Sequence, residues 1–122
     1  MDLIHVRLHV ADADESADWY VEQLDFERSW EFESDGARHV YVADGNGFEL
    51  QLTDEEGVDV ISEADQFDHL AIGVEDVDEA FEDIENHGVI KEPADQPAAS
   101  ARTAFLEDPD GHVVELVQPL DD

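Results

Sequence analysis

Cysteine is absent from the 122 residues, which excludes disulfides and thiol chemistry and agrees with a cytoplasmic protein. Basic side chains are scarce as well: 5 Lys+Arg stand against 35 Asp+Glu, a formal net charge of −30. That field repels phosphate backbones and anionic lipid, so nucleic-acid and membrane-surface roles are excluded. No apolar run approaches the roughly 18 residues that a membrane-spanning helix needs. The opening Met1-Asp2-Leu3-Ile4-His5 has no basic flank before an apolar stretch, so no secretory signal is expected. Lysine is limited to Lys91. Acidity with so little lysine is the composition expected in molar salt, where a screening length of about 3 Å quenches self-repulsion.

What is present is a patterned core: 42% of residues are apolar, and they recur at regular spacing. From Leu3 to Val10 the chain alternates, with Ile4, Val6, Leu8 and Val10 on one face and His5, Arg7 and His9 on the other. Period two means a strand with one apolar side. Asp12 with Glu15 three residues on is a helix-start signal, and Ala17, Tyr20, Val21 and Leu24 repeat at helical spacing, so a helix is expected from Ala13 to Leu24. Strands are expected at Phe26–Phe32, Arg38–Val42 and Phe48–Leu52, separated by turns at Asp35-Gly36 and Asp44-Gly45-Asn46-Gly47. Residues 54–66 are acidic and aperiodic and read as a linker.

The pattern then begins again. Phe67–Val74 reads as a strand, and Asp76 with Glu79 as a second helix start. Val77, Ala80, Phe81 and Ile84 form a helical stripe that Gly88 should stop. Val89-Ile90 reads as a short strand, Glu92–Ser100 as a loop, and Thr103–Leu106 and Val113–Val117 as strands around the turn Asp108-Pro109-Asp110-Gly111. His5 falls on His69 and Asp12 on Asp76 at a spacing of 64. Asp44-Gly45 falls on Asp110-Gly111 and Glu49 on Glu115 at 66, which implies a small insertion in the second copy. The expected organisation is one α+β domain over residues 1–122, built from two βαβββ modules at 3–53 and 67–118, with mixed curved sheets and helices outside.

The repeat matches two His with two Glu: His5, Glu49, His69 and Glu115. Each sits on a strand next to apolar residues. Nitrogen and oxygen donors of this kind suit zinc, nickel, cobalt, iron or manganese, and the missing thiolates argue against a closed structural zinc site. Arg7 and His9 share the inner face with His5 and are candidate substrate contacts. His112 reads as a loop residue, His39 and His87 as surface residues, and Trp19, Tyr20 and Phe81 as core. Asp54-Glu55-Glu56 and Glu75-Asp76 read as solvated charge.

From Leu3 to Val117 the chain resembles the vicinal-oxygen-chelate superfamily and, within it, glyoxalase I. The resemblance rests on Ile4-His5-Val6, Trp19-Tyr20, Phe48-Glu49-Leu50, Asp68-His69-Leu70-Ala71 and, most specifically, Phe105 to Leu116 with its Asp108-Pro109-Asp110-Gly111 and Glu115. It implies a divalent metal on His5, Glu49, His69 and Glu115, with nickel or cobalt preferred to zinc. It implies isomerisation of a hemithioacetal of a 2-oxoaldehyde such as methylglyoxal to a 2-hydroxyacyl thioester through an enediolate. Glu115 would be the base, with Glu49 the symmetric possibility, in a homodimer with shared sites. Glutathione-using bacterial members carry Arg four residues after the first His and Asn four after the first Glu; His9 and Thr53 stand there, which favours a thiol such as γ-glutamylcysteine. The alternatives are a metal-dependent acyl-CoA epimerase, whose branch replaces the first Glu ligand by Gln, an extradiol dioxygenase, and a metal-free drug-binding protein of the bleomycin-resistance type.

Overall fold

The structure, a computed structural model, describes residues 4–57 and 69–120. The chain divides into two compact units, Met1–Ile61 and Ser62–Asp122.

The first unit runs β1 (His5–His9), α1 (Ala13–Leu24), β2 (Glu27–Ser34), β3 (Ala37–Ala43) and β4 (Glu49–Glu55). Its sheet has the order β1-β4-β3-β2, with β1 parallel to β4 and the other pairs antiparallel. The alternation in the sequence decides which side is apolar. Leu8, Val40, Val42, Leu50 and Leu52 are buried on one side, and α1 adds Ala13, Ala17 and Tyr20 to the same core. Both ends of α1 are capped, the first as the sequence predicts. The Asp12 side chain accepts from the Glu15 N–H at 3.0 Å, and Asp25 closes the helix in the left-handed region at φ 59°. The β2–β3 hairpin turns through Asp35 and Gly36, both at positive φ, which is the backbone a two-residue hairpin needs.

The second unit runs β5 (Leu70–Gly73), α2 (Val77–Asp83), β6 (Val89–Gln96), a short 3-10 turn at Pro97–Ala99, β7 (Ala101–Glu107) and β8 (Val113–Pro119). Its sheet order, β5-β8-β7-β6, repeats that of the first, again with one parallel pair. Val77, Ile84, Ala104, Leu106, Val114 and Leu116 are buried in its core.

Several expectations need correction. Where a loop was expected at Glu92–Ser100, β6 continues to Gln96. It is an edge strand with two register shifts, the setting in which a strand tolerates Pro93. Gly88 does not stop α2. The helix ends at Asp83 with Ile84 extended, and Gly88 lies against the Glu107 side chain, where a Cβ would collide. β4 runs on through Asp54 and Glu55, which were assigned to the linker. Leu3, Phe67, Asp68 and residues 58–66 lie outside the described residues.

The spacing of the repeat is also corrected. Val10 N–H bonds the Thr53 carbonyl, and Val74 N–H bonds that of Val117. Asp44 accepts from the Asn46 and Phe48 N–H groups, and Asp108 from those of Asp110 and His112. Arg38 binds Asp14 on α1, and Arg102 binds Asp78 on α2. Every one of these pairs is related by 64, and none by 66. The insertion is real: Pro97 to Ser100 replace the two-residue turn Asp35-Gly36. Two residues are missing ahead of β6, however, so β7 and β8 return to the spacing of 64.

Candidate functional site

In the first unit the polar face of the sheet is laid out by register. His5 lies opposite Glu49, Arg7 opposite Gln51, and His9 opposite Thr53. Across β4, Glu49 faces Ala43, Gln51 faces Tyr41, and Thr53 faces His39. Trp30 and Phe32 on β2 pair with Tyr41 and His39. Trp30 stacks on Tyr41 at 4.8 Å, and Phe32 on His39 at 4.4 Å. The His5 ring meets Tyr41 edge-on at 5.5 Å. Glu49 accepts a hydrogen bond from the Ser29 hydroxyl at the β2 bulge. Burial and the Glu49 charge push the Tyr41 hydroxyl pKa up, against a smaller opposing effect of Arg7.

His39 is not a surface residue. It is 7% exposed, because Phe32 covers it and its Nδ1 lies 3.0 Å from both Thr53 Oγ1 and Gln51 Nε2. Arg7 Nε donates to the same Thr53 oxygen at 3.1 Å. Thr53 is fully buried, so its hydroxyl positions Arg7 and His39 rather than meeting solvent. Among the described residues, Arg7 is the one arginine without a carboxylate partner; Arg28, Arg38 and Arg102 are all held by acids. His5 and His9 are exposed.

In the second unit His69 directly precedes β5, and Glu115 lies on β8 opposite Ala71 and Phe105. His69 Nε2 stands 2.9 Å from Glu115 Oε1, with both side chains partly accessible. The His69 ring meets Phe105 edge-on at 5.5 Å, and Lys91, the strand partner of Phe105 on β6, has its Nζ 5.5 Å from the centre of that same ring. One nitrogen and one oxygen donor thus converge in this unit, and His5 shares a sheet face with oxygen donors in the other. These residues fit a divalent ion of the borderline class.

Three further donors cluster in the turn before β8: Asp108, Asp110 and His112. Their chemistry is accounted for within the turn. Asp108 is fully buried and accepts from the Asp110 and His112 N–H groups at 2.9 and 2.8 Å. Its second oxygen lies 3.0 Å from His112 Nδ1. Burial disfavours the His112 imidazolium, but the Asp108 hydrogen bond and the charges of Asp108 and Asp110 outweigh it and hold its pKa above the ordinary value. The loop role expected for His112 is what the turn shows. His87 is exposed, Trp19 and Tyr20 are core residues, and Phe81 is half-buried.

Two βαβββ units with matched histidines define a class of protein, the paired βαβββ-module fold. The chain belongs to the glyoxalase/bleomycin resistance protein/dioxygenase superfamily, whose family model matches residues 2–116. It is 32% identical over 125 residues to a probable lactoylglutathione lyase of Synechocystis sp., covering 97% of this chain and 95% of that one. Its structure resembles the trypanothione-dependent glyoxalase I of Leishmania major, with 29% identity, a TM-score of 0.79, and coverage of 97% and 86% of the two chains. It also resembles an antibiotic-binding protein from Streptomyces sp., with 27% identity, a TM-score of 0.75, and coverage of 98% and 96%. The chain is thus similar both to glyoxalase-type enzymes and to a binding protein. No helix among the described residues is long and apolar enough to cross a membrane.

Proposed function

We propose that the protein is a metal-dependent glyoxalase I-type isomerase. It converts the hemithioacetal of a 2-oxoaldehyde and a small thiol to a 2-hydroxyacyl thioester through an enediolate. The observation that carries this reading is the His69–Glu115 contact on the polar sheet face of a chain whose relatives include lactoylglutathione lyases. His5, His69, Glu115 and one residue of β4, for which the repeat in the sequence offers Glu49, would hold nickel, cobalt or zinc, with iron or manganese less favoured. The ion would supply Lewis-acid polarisation of the two adjacent substrate oxygens. Glu115 takes a proton from one carbon and returns it to the neighbouring carbon, so no oxidant or co-reactant is required.

Arg7 presents a fixed guanidinium for an anionic group of the thiol, held at Nε by Thr53. With His9 in place of a second Arg, the γ-glutamylcysteine adduct fits better than the glutathione adduct. Each module supplies half of the donors, and a homodimer with shared sites completes them. A cytoplasmic location agrees with the absence of cysteine.

The second reading is a drug-binding protein, favoured by the likeness to the Streptomyces antibiotic-binding protein. Metal analysis of the purified protein, followed by the assay of thioester formation, separates the two. The isomerase carries about one divalent ion per site and makes thioester. The binding protein does neither.

A further inference from the structure

We infer that the oxygen donor that β4 brings to the metal site is the side-chain amide of Gln51, not the carboxylate of Glu49. This rests on the metal-site reading above. The two units make the same contacts at the same places. His5 sits edge-on to Tyr41 at 5.5 Å and 88°, and His69 sits edge-on to Phe105 at 5.5 Å and 81°. The two rings stand at equivalent positions on β3 and β7, so the two histidines hold the same pose. The strand partner of Phe105 is Glu115, the residue that His69 touches, and the strand partner of Tyr41 is Gln51. Register gives the same answer by a second route. Residue 5 pairs with 49 and residue 71 pairs with 115, so β1–β4 and β5–β8 share one stagger. With His69 matching His5, the residue that matches Glu115 is Gln51, and Glu49 is matched by Val113.

The hydrogen bonds of the first unit orient both side chains accordingly. Arg7 Nε can only donate, so Thr53 Oγ1 accepts from it and has its own proton free for His39 Nδ1. The Gln51 amide nitrogen lies 3.0 Å from His39 Nδ1 and donates to it in the tautomer that carries the ring proton on Nε2. That turns the amide oxygen away from His39. Among the described residues this oxygen has no hydrogen-bond partner, and no buried side-chain oxygen is left unsatisfied, so it reaches solvent. Glu49 is instead engaged by the Ser29 hydroxyl on the far side of Ala43. A site built this way has two imidazoles, one neutral amide and one carboxylate, so the residue at this place no longer separates the isomerase from the acyl-CoA epimerase alternative, and thioester formation does. Glu115 is then its one carboxylate, and the bound ion keeps more of its positive charge than it would with two.

The test is cobalt(II) titration of the full chain by calorimetry in molar potassium chloride, with the ligand-field spectrum of the bound ion as a second readout. Gln51→Ala should weaken binding at least about tenfold, since even partners of the ligands are worth 10–100-fold. Glu49→Ala should stay within about twofold of the parent, and Gln51→Glu should bind at least as tightly and move the spectrum. If Gln51→Ala fails to fold, the other two variants decide. A tenfold loss in Glu49→Ala, or an unmoved spectrum in Gln51→Glu, overturns the assignment while the metal reading stands. A parent chain that binds no cobalt(II), or a His69→Ala chain that binds it as well as the parent, overturns both.

Discussion

Asp108 shows how much one side chain can organise. It is fully buried, yet both of its oxygens are satisfied, by two backbone N–H groups and the His112 ring. Removing a buried charged acceptor strands its donors, so Asp108→Ala should cost about 2–3 kcal/mol of unfolding free energy, read from denaturant midpoints. The His112 pKa is raised by folding, so the pair's contribution is complete below the unfolded value of about 6.5 and is lost as pH climbs through the folded value. Stability attributable to this pair should therefore decline as pH rises above about 6.5. His112→Gln should flatten that part of the profile, and an unchanged profile would contradict the pairing. The same scale explains why His39 was misread. Alternation placed it on the polar face of β3, and nothing local announces that Phe32 covers that face or that Thr53 and Gln51 wait beneath it.

Elements were legible where their signals are local. The start of α1 is marked by Asp12 and its stripe is clear, so its bounds match the expectation. The residue that caps its C-terminus, Asp25, sits in the left-handed region that glycine occupies at least cost. Asp25→Gly should leave stability unchanged or raise it by up to about 1 kcal/mol, and a clear loss in thermal midpoint would show that the Asp25 side chain matters more than its backbone. Asp12→Ala should cost about 1 kcal/mol, through the lost bond to the Glu15 N–H. Less was legible where tertiary context decides. Pro93 and Pro97 spoke for a loop, but an edge strand has N–H groups to spare, and β6 runs through Pro93. The repeat was mis-spaced because two Asp-Gly pairs were aligned by their glycines. The turn is organised by the Asp that accepts two N–H groups, Asp44 in one unit and Asp108 in the other. That error made Glu49 the apparent mate of Glu115.

At the scale of the molecule, charge dominates. Three of the four arginines are spent holding acids, Arg28 and Arg38 around Asp14 and Arg102 on Asp78 and Asp95. Arg38 holds the Asp14 carboxyl below its usual pKa, against the effect of burial, with Arg28 adding to it. These few pairs cannot balance a net charge of −30, so the thermal midpoint should rise as potassium chloride goes from low to about 1 M and the screening length shrinks to about 3 Å. A flat midpoint would remove the molar-salt reading. The proposed metal-dependent isomerisation is tested most directly by thioester formation from methylglyoxal with glutathione or γ-glutamylcysteine in molar potassium chloride, before chelation, after it, and after reloading with nickel or cobalt. The rate should vanish on chelation and return on reloading, with the γ-glutamylcysteine adduct turned over more efficiently. No thioester from either adduct with any of the divalent metals would contradict the account.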